Sequence, residues 1–219
     1  MRENERNNRN LAVGGIIGGV LMMLANIIIH MGTTGKTPDP GWIDMPGMLP
    51  GITEILAVLA AAGLLAGWVS LYRMERESCG SKMQKLAIAP TVGVVGMSLF
   101  HGNINCIEPL VYKTLALSGS ESMFPAMDAA ISGSFAPVDL LILAAFYLQL
   151  IILIYGVFSG KLGVKKWLIL LNPVCGLIVG IVLGAVLPGS LSGIPMGMRN
   201  LGEGLMYLIP YAYWQNHRA

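Results

Sequence analysis

The sequence predicts an all-α bundle of six transmembrane helices, one membrane domain over residues 1–219 with both termini cytoplasmic. Three observations predict it. Charged residues make up 12% of the chain, half of the roughly 25% usual in a soluble domain. Hydrophobic residues make up 54%, and the mean hydropathy is +0.66. Lys and Arg fall in alternate loops, as the charge bias that orients membrane helices requires. Together these exclude a water-soluble domain, a disordered chain and a secreted disulfide scaffold.

A spanning helix needs about 20 mostly apolar residues to cross a hydrocarbon core about 30 Å thick. Such runs are expected at 11–29, 51–72, 86–107, 137–159, 167–188 and 198–214. None alternates polar and apolar as a membrane barrel strand does. The first follows Arg2, Arg6 and Arg9, and its apolar stretch covers 19 residues from Leu11 to Ile29. Signal h-regions reach only about 15, so an uncleaved span is expected. Eleven of the 14 Lys and Arg lie in the N-terminal segment, loops 73–85 and 160–166, and the C-terminus. The other side carries only Lys36, Lys113 and Arg199. Five or seven spans would put the tails on opposite sides and spoil that division.

Aromatic residues agree with this orientation. Trp68, Tyr72, Tyr155, Phe158, Trp167, Tyr211, Tyr213 and Trp214 fall at expected cytoplasmic helix ends, where amphipathic rings favour the headgroup region. The outer loops at 30–50 and 108–136 are long and rich in Gly, Pro and Ser. Asp39-Pro40-Gly41 and Leu49-Pro50-Gly51 read as turns. Residues 121–131 read as a short interfacial helix started by Ser120 or Ser122 and stopped at Gly133. Gly14, Gly15, Gly18 and Gly19 in the first span, and Gly176, Gly180 and Gly184 in the fifth, form small-residue stripes that let helix backbones approach closely. Contacts inside the bundle are the first use of such stripes and homodimerisation the second.

No cofactor, metal or nucleic acid is expected. Cys79, Cys106 and Cys175 lie at different depths, no Cys-x-x-Cys or His-x-x-x-His spacing occurs, and phosphate loops and dinucleotide fingerprints are absent. The net charge of +2 gives no electrostatic footprint for nucleic acid. The expected partners are membrane lipids, a lipophilic small molecule and, through the glycine faces, a second copy of the chain. The expected location is the cell membrane.

Ionisable side chains in a span cost about 2.5–3.5 kcal/mol near the helix centre, so their depth carries information. The predicted topology puts Asn26 and His30 at the outer end of the first span and Glu54 at the outer start of the second. His101, Asn103, Asn105, Cys106 and Glu108 crowd the outer end of the third. Asp139 begins the fourth, in a first turn where a carboxylate complements the helix dipole, and Arg199, Asn200 and Glu203 begin the sixth. Polar groups on five helices thus share one depth, in the outer leaflet, against only Gln149 and Asn172 in the inner halves. His101, Asn105 and Glu108 share a helix face, a histidine–carboxylate arrangement suited to proton transfer. Pro109 is expected to end that helix. Arg199 suits a carboxylate or phosphate.

The candidate catalytic residues are therefore His101, Glu108, Asp139 and Glu203, and the candidate substrate-binding residues are Arg199, Asn200, Asn103, Asn105, Asn26 and Glu54. An intramembrane acid–base enzyme or binder of a lipophilic substrate ranks first. A small-solute or ion transporter ranks second, and a non-catalytic assembly or regulatory partner third. The topology predicts that a cysteine at Lys36 or Lys113 labels from outside intact cells while one at Lys82 does not; the reverse pattern would overturn the shared depth.

Overall fold

The computed structural model describes residues 3–31, 40–78, 80 and 107–216, and these form α-helices and short 3-10 turns with no strand among them. The expected third span, with His101, Asn103, Asn105 and Cys106, lies outside the described residues. In chain order the helices are α1 (Glu3–Ile29), α2 (Pro40–Asp44), α3 (Leu49–Ser78), α4 (107–117), α5 (Phe124–Phe158), α6 (Pro173–Val186), α7 (Gly193–Met206) and α8 (Leu208–Asn216). α1 and α3, of 27 and 30 residues, are long and apolar enough to cross a membrane. At 1.5 Å per residue they reach about 40 and 45 Å, beyond the apolar runs that predict them.

Glycine decides how they meet. α1 and α3 run antiparallel, with Gly14 against Ala66, Gly15 against Gly67 and Gly18 against Leu64. α7 runs antiparallel to the other face of α1. A carbon added to Gly19 would lie 2.2 Å from Gly204 Cα, and one added to Gly193 would lie 2.2 Å from the Ile27 carbonyl oxygen. α6 continues the pattern against α7, where carbons added to Gly176 and Gly180 would lie 2.3 and 2.5 Å from the Met198 and Pro195 carbonyl oxygens. Distances this short leave no room for a Cβ, so the helices pack backbone to backbone. Both expected stripes are used inside the chain.

Polar side chains pin the same register. Ser70 Oγ donates to the Asn8 carbonyl oxygen at 2.7 Å, and Arg73 Nη1 donates to Asn8 Oδ1 at 2.7 Å. At the other end Ser192 Oγ donates to the His30 carbonyl oxygen at 2.7 Å. Between these ends a core of Leu64, Trp68, Leu71, Met74, Leu153, Tyr207 and Ile209 is at most 1% exposed.

Several expectations are corrected. The segment 108–136 is mostly helical: α4 fills 107–117, a 3-10 turn covers Glu121–Met123, and α5 starts at Phe124 and runs 35 residues through Gly133 and Pro137 to Phe158. Neither a stop at Gly133 nor a separate interfacial helix exists. Asp139 therefore lies inside α5 rather than in a first turn and cannot act as its N-terminal charge. Glu54 is likewise beyond the first turn of α3. Pro109 does not end a helix, since α4 continues from it to residue 117. Pro40 and Pro50 stand in the first turns of α2 and α3 instead of in separate turns, where a missing N–H costs nothing.

The fifth and sixth expected spans are each broken. Asn172 caps α6, its Oδ1 accepting from the backbone N–H groups of Val174 at 2.8 Å and Cys175 at 3.1 Å, and Lys166–Leu170 before it forms a 3-10 turn. α7 ends at Met206 and α8 resumes at Leu208. Trp68, Tyr213 and Trp214 are buried core residues rather than members of an interfacial belt, whereas Tyr155, Phe158 and Trp167 are exposed.

Gly19→Ala is expected to lower stability in detergent denaturation by about 3 kcal/mol, the cost of overpacking a closed contact. Gly184→Ala, whose new carbon would rest 3.7 Å from Pro195, should stay within about 0.5 kcal/mol. Equal effects would contradict the backbone contact.

Candidate functional site

The glycine contacts between α6 and α7 loosen outward. Added carbons would strike backbone at Gly176 and Gly180 but reach only ordinary contact at Gly184. Where the helices diverge, a groove of about 410 Å³ opens against the C-terminal end of α1. Leu177, Ile181, Pro195 and Met196 form its apolar walls, and Asn26, His30, Arg199 and Asn200 bring polar groups to it. Leu177, Ile181 and Met196 are exposed on the outside of the bundle, so the groove opens sideways between helices.

Each polar residue is positioned by its helix. Asn26 is buried on α1 and donates from Nδ2 to the Met22 carbonyl oxygen at 3.2 Å. Asn200 is buried on α7 where that helix meets Gly19. Arg199 is half-buried one residue before it and faces α6. Its charge also acts on the Glu203 carboxyl one turn further along. Glu203 is 2% exposed and sits beneath the groove beside Trp68 and Tyr207, whose rings meet edge to face at 6.3 Å. The glycines flanking this pair serve helix contact: an added carbon would lie 2.4 Å from the Asn172 carbonyl oxygen at Gly202 and 2.9 Å from Gly19 Cα at Gly204.

Of the predicted site residues, Asn26, Arg199 and Asn200 come together in one groove, joined by His30, with Glu203 below. Glu54 and Glu108 do not line this groove, and His101, Asn103 and Asn105 lie outside the described residues. Glu54 is on α3, with its Oε2 buried and without a hydrogen-bond partner. Asp139 falls on α5, its side chain outside the described set. Glu108 belongs to a second cluster, with Asp128 and Tyr112. Burial, and then the Asp128 charge, raise Glu108 above the usual carboxylate range. Burial with the charges of Asp128 and Glu108 pushes the Tyr112 hydroxyl up to about 12. A line of rings connects this cluster to the groove: His30 to Trp42 at 6.2 Å, Trp42 to Tyr112 at 5.8 Å and Tyr112 to Phe124 at 5.3 Å. Trp42 Nε1 also donates to the Ile29 carbonyl oxygen at 3.1 Å, and Lys113 Nζ donates to that of Met45.

A larger cavity of about 610 Å³ lies at the opposite end of α1, lined by Asn4, Glu5, Asn8, Arg73, Arg76, Glu77 and Trp214. Its mixed charges, mostly on exposed helix ends, describe a solvated mouth rather than a selective site. Among the described residues no group of three or more His, Cys, Asp or Glu is placed to hold a metal ion.

A family model covers nearly all of this architecture, matching residues 1–217. The chain belongs to the family of unknown function DUF6796. No curated protein and no solved structure matches it.

Sequence reasoning missed Asp128, Tyr112 and Glu75. Tyr112 reads as loop and Asp128 as part of the short interfacial helix 121–131, because the segment holding them is interrupted by Gly, Pro and Ser. Glu75 was assigned to the charged cytoplasmic loop, yet it is 1% exposed.

The Glu108 cluster sets a pH dependence. The folded state holds this proton more tightly than the unfolded chain, whose value is near 4.5. The group's contribution to stability is therefore complete below that pH and declines as pH rises toward the folded value. In a thermal-shift series, Glu108→Gln should flatten that decline, and Asp128→Asn should move the Glu108 titration to lower pH. An unchanged slope in both variants would contradict the cluster.

Proposed function

We propose that the chain is a six-span, multi-pass protein of the cell membrane, with both termini cytoplasmic, that binds a lipophilic molecule bearing an anionic head group. The reading rests on one observation: a sideways-opening groove joins Arg199, His30 and two buried amides to apolar walls. A guanidinium offers paired donors to a carboxylate or phosphate, and a tail lies against Leu177, Ile181 and Met196. The six-span topology is supported by the division of Lys and Arg and by the antiparallel course of α1 against α3 and α7 and of α6 against α7. Large apolar side chains exposed along α3, α5 and α6, including Ile55, Val58, Leu140, Leu141, Ile178 and Val182, suit contact with lipid rather than water.

Binding is favoured over acid–base catalysis because the groove offers a cation and amides in place of an acid facing a base. Transport is the second reading. A buried Glu75–Gln149 hydrogen bond provides polarity in the inner half of the bundle, where the sequence alone offers little.

Native mass spectrometry of the protein in lipid nanodiscs tests the first reading. The wild type should retain a discrete amphiphile with a carboxylate or phosphate head. Arg199→Gln should reduce its retention about tenfold, the loss of about 1.4 kcal/mol. Identical lipid profiles in both proteins would sink the proposal.

A further inference from the structure

Glu75 on α3 and Gln149 on α5 are each 1% exposed, far from the outer groove and close to the opposite end of the bundle. Gln149 Nε2 donates to Glu75 Oε1. That bond leaves two buried oxygens without a partner, Glu75 Oε2 and Gln149 Oε1. Both are acceptors when the carboxyl is ionised, so neither satisfies the other. An ionised Glu75 would then be a buried charge facing an amide oxygen, the costliest of the available arrangements.

We infer that Glu75 and Gln149 form a proton-binding site, in which a neutral Glu75 carboxylic acid and the Gln149 amide close a cyclic pair of hydrogen bonds between α3 and α5. One proton on Oε2 turns that oxygen into a donor, and the amide oxygen accepts it. Both orphaned atoms are satisfied by this single addition. The proton is transferred from a hydronium ion of the solvent, whose O–H bond breaks to leave water as the Oε2–H bond forms. A metal ion does not serve as well: hard cations take six or more oxygen ligands, and among the described residues no acidic or histidine cluster supplies them.

The surroundings favour a neutral acid. Among the described residues, Gln149 is the polar group that acts on the Glu75 carboxyl, and no charge from a neighbouring helix does so. Arg76 and Glu77, next along α3, are exposed and line the polar mouth together with Arg73 and Glu5. α5 otherwise joins the core through apolar side chains, among them Leu150, Leu153 and Val157. The proton therefore completes the polar contact that fixes α5 on α3. Raising the pH until it leaves exposes a carboxylate to the amide oxygen and loosens that junction.

Infrared difference spectroscopy of the full chain in nanodiscs reads this proton directly, through the carbonyl stretch of a protonated carboxylic acid. The wild type should show that band at neutral pH and lose part of it on alkaline titration. Glu75→Gln, which keeps the shape and an amide–amide pair, should remove the same part. The exchanged double variant, Glu75→Gln with Gln149→Glu, should restore it. A wild type without the band at neutral pH, or a Glu75→Gln variant that retains it in full, would overturn the proton site. A folded double variant that lacks the restored intensity would overturn the cyclic pair. Isotope labelling of glutamate carboxyls in the wild type assigns the band to glutamate rather than aspartate, and the Glu75→Gln difference assigns its Glu75 part.

Discussion

The structure depends on the removal of side chains from one line of contact. Where α1 meets α3 and α7, glycine faces glycine: Gly15 lies on Gly67 and Gly19 on Gly204. Helices whose backbones come this close associate through dispersion and close polar contacts that act only at short range. A single Cβ at either crossing would push the axes apart and forfeit those contacts along a whole turn. The rest of the register follows. Asn8 reaches Ser70 and Arg73 at one end, and Ser192 reaches the His30 carbonyl at the other.

The same rule explains why a groove exists where it does. Contact between α6 and α7 is closest at Gly176 and Gly180 and relaxes at Gly184, so the helices separate toward the C-terminal end of α6 and the start of α7. The opening falls beside the polar residues at the start of α7 and the end of α1. Arg199 lines the groove, and its charge acts on the buried Glu203 carboxyl. Near the C-terminal end of α3 a separate polar pair, Glu75 with Gln149, lies in a region the groove does not reach.

Much of this was legible in the sequence. Hydropathy located α1 and α3, and the glycine stripes identified faces that the chain uses internally. Asn26, Arg199 and Asn200, expected at one depth, are three candidate residues that line one groove. What stayed hidden has physical causes. Proline reads as punctuation, but at Pro40, Pro50 and Pro173 it opens a helix, because the first turn makes no use of its N–H. Gly, Ser and Pro between residues 108 and 136 resemble loop composition, yet α4 and most of the first half of α5 form there. Trp68 and Trp214 carry the amphipathic chemistry of interface residues, but packing against Tyr207 and Tyr213 buries them. Glu75 sits in a charged run, and only its long-range partner Gln149 distinguishes it from Glu77. Gln149, a solitary amide in an apolar stretch, was the available signal that a buried partner existed.

The most direct test of the groove is a photoreactive side chain installed at Ile181, on its wall, in nanodiscs that contain both anionic and zwitterionic lipids. The adducts are identified by mass spectrometry and compared with those from Val182, which is exposed on the same helix but does not line the groove. The account predicts that Ile181 captures an anionic amphiphile well above its share of the bilayer and that Arg199→Gln abolishes the enrichment, while Val182 reports the bulk composition throughout. Adducts at Ile181 that follow the bulk composition with Arg199 intact would contradict it.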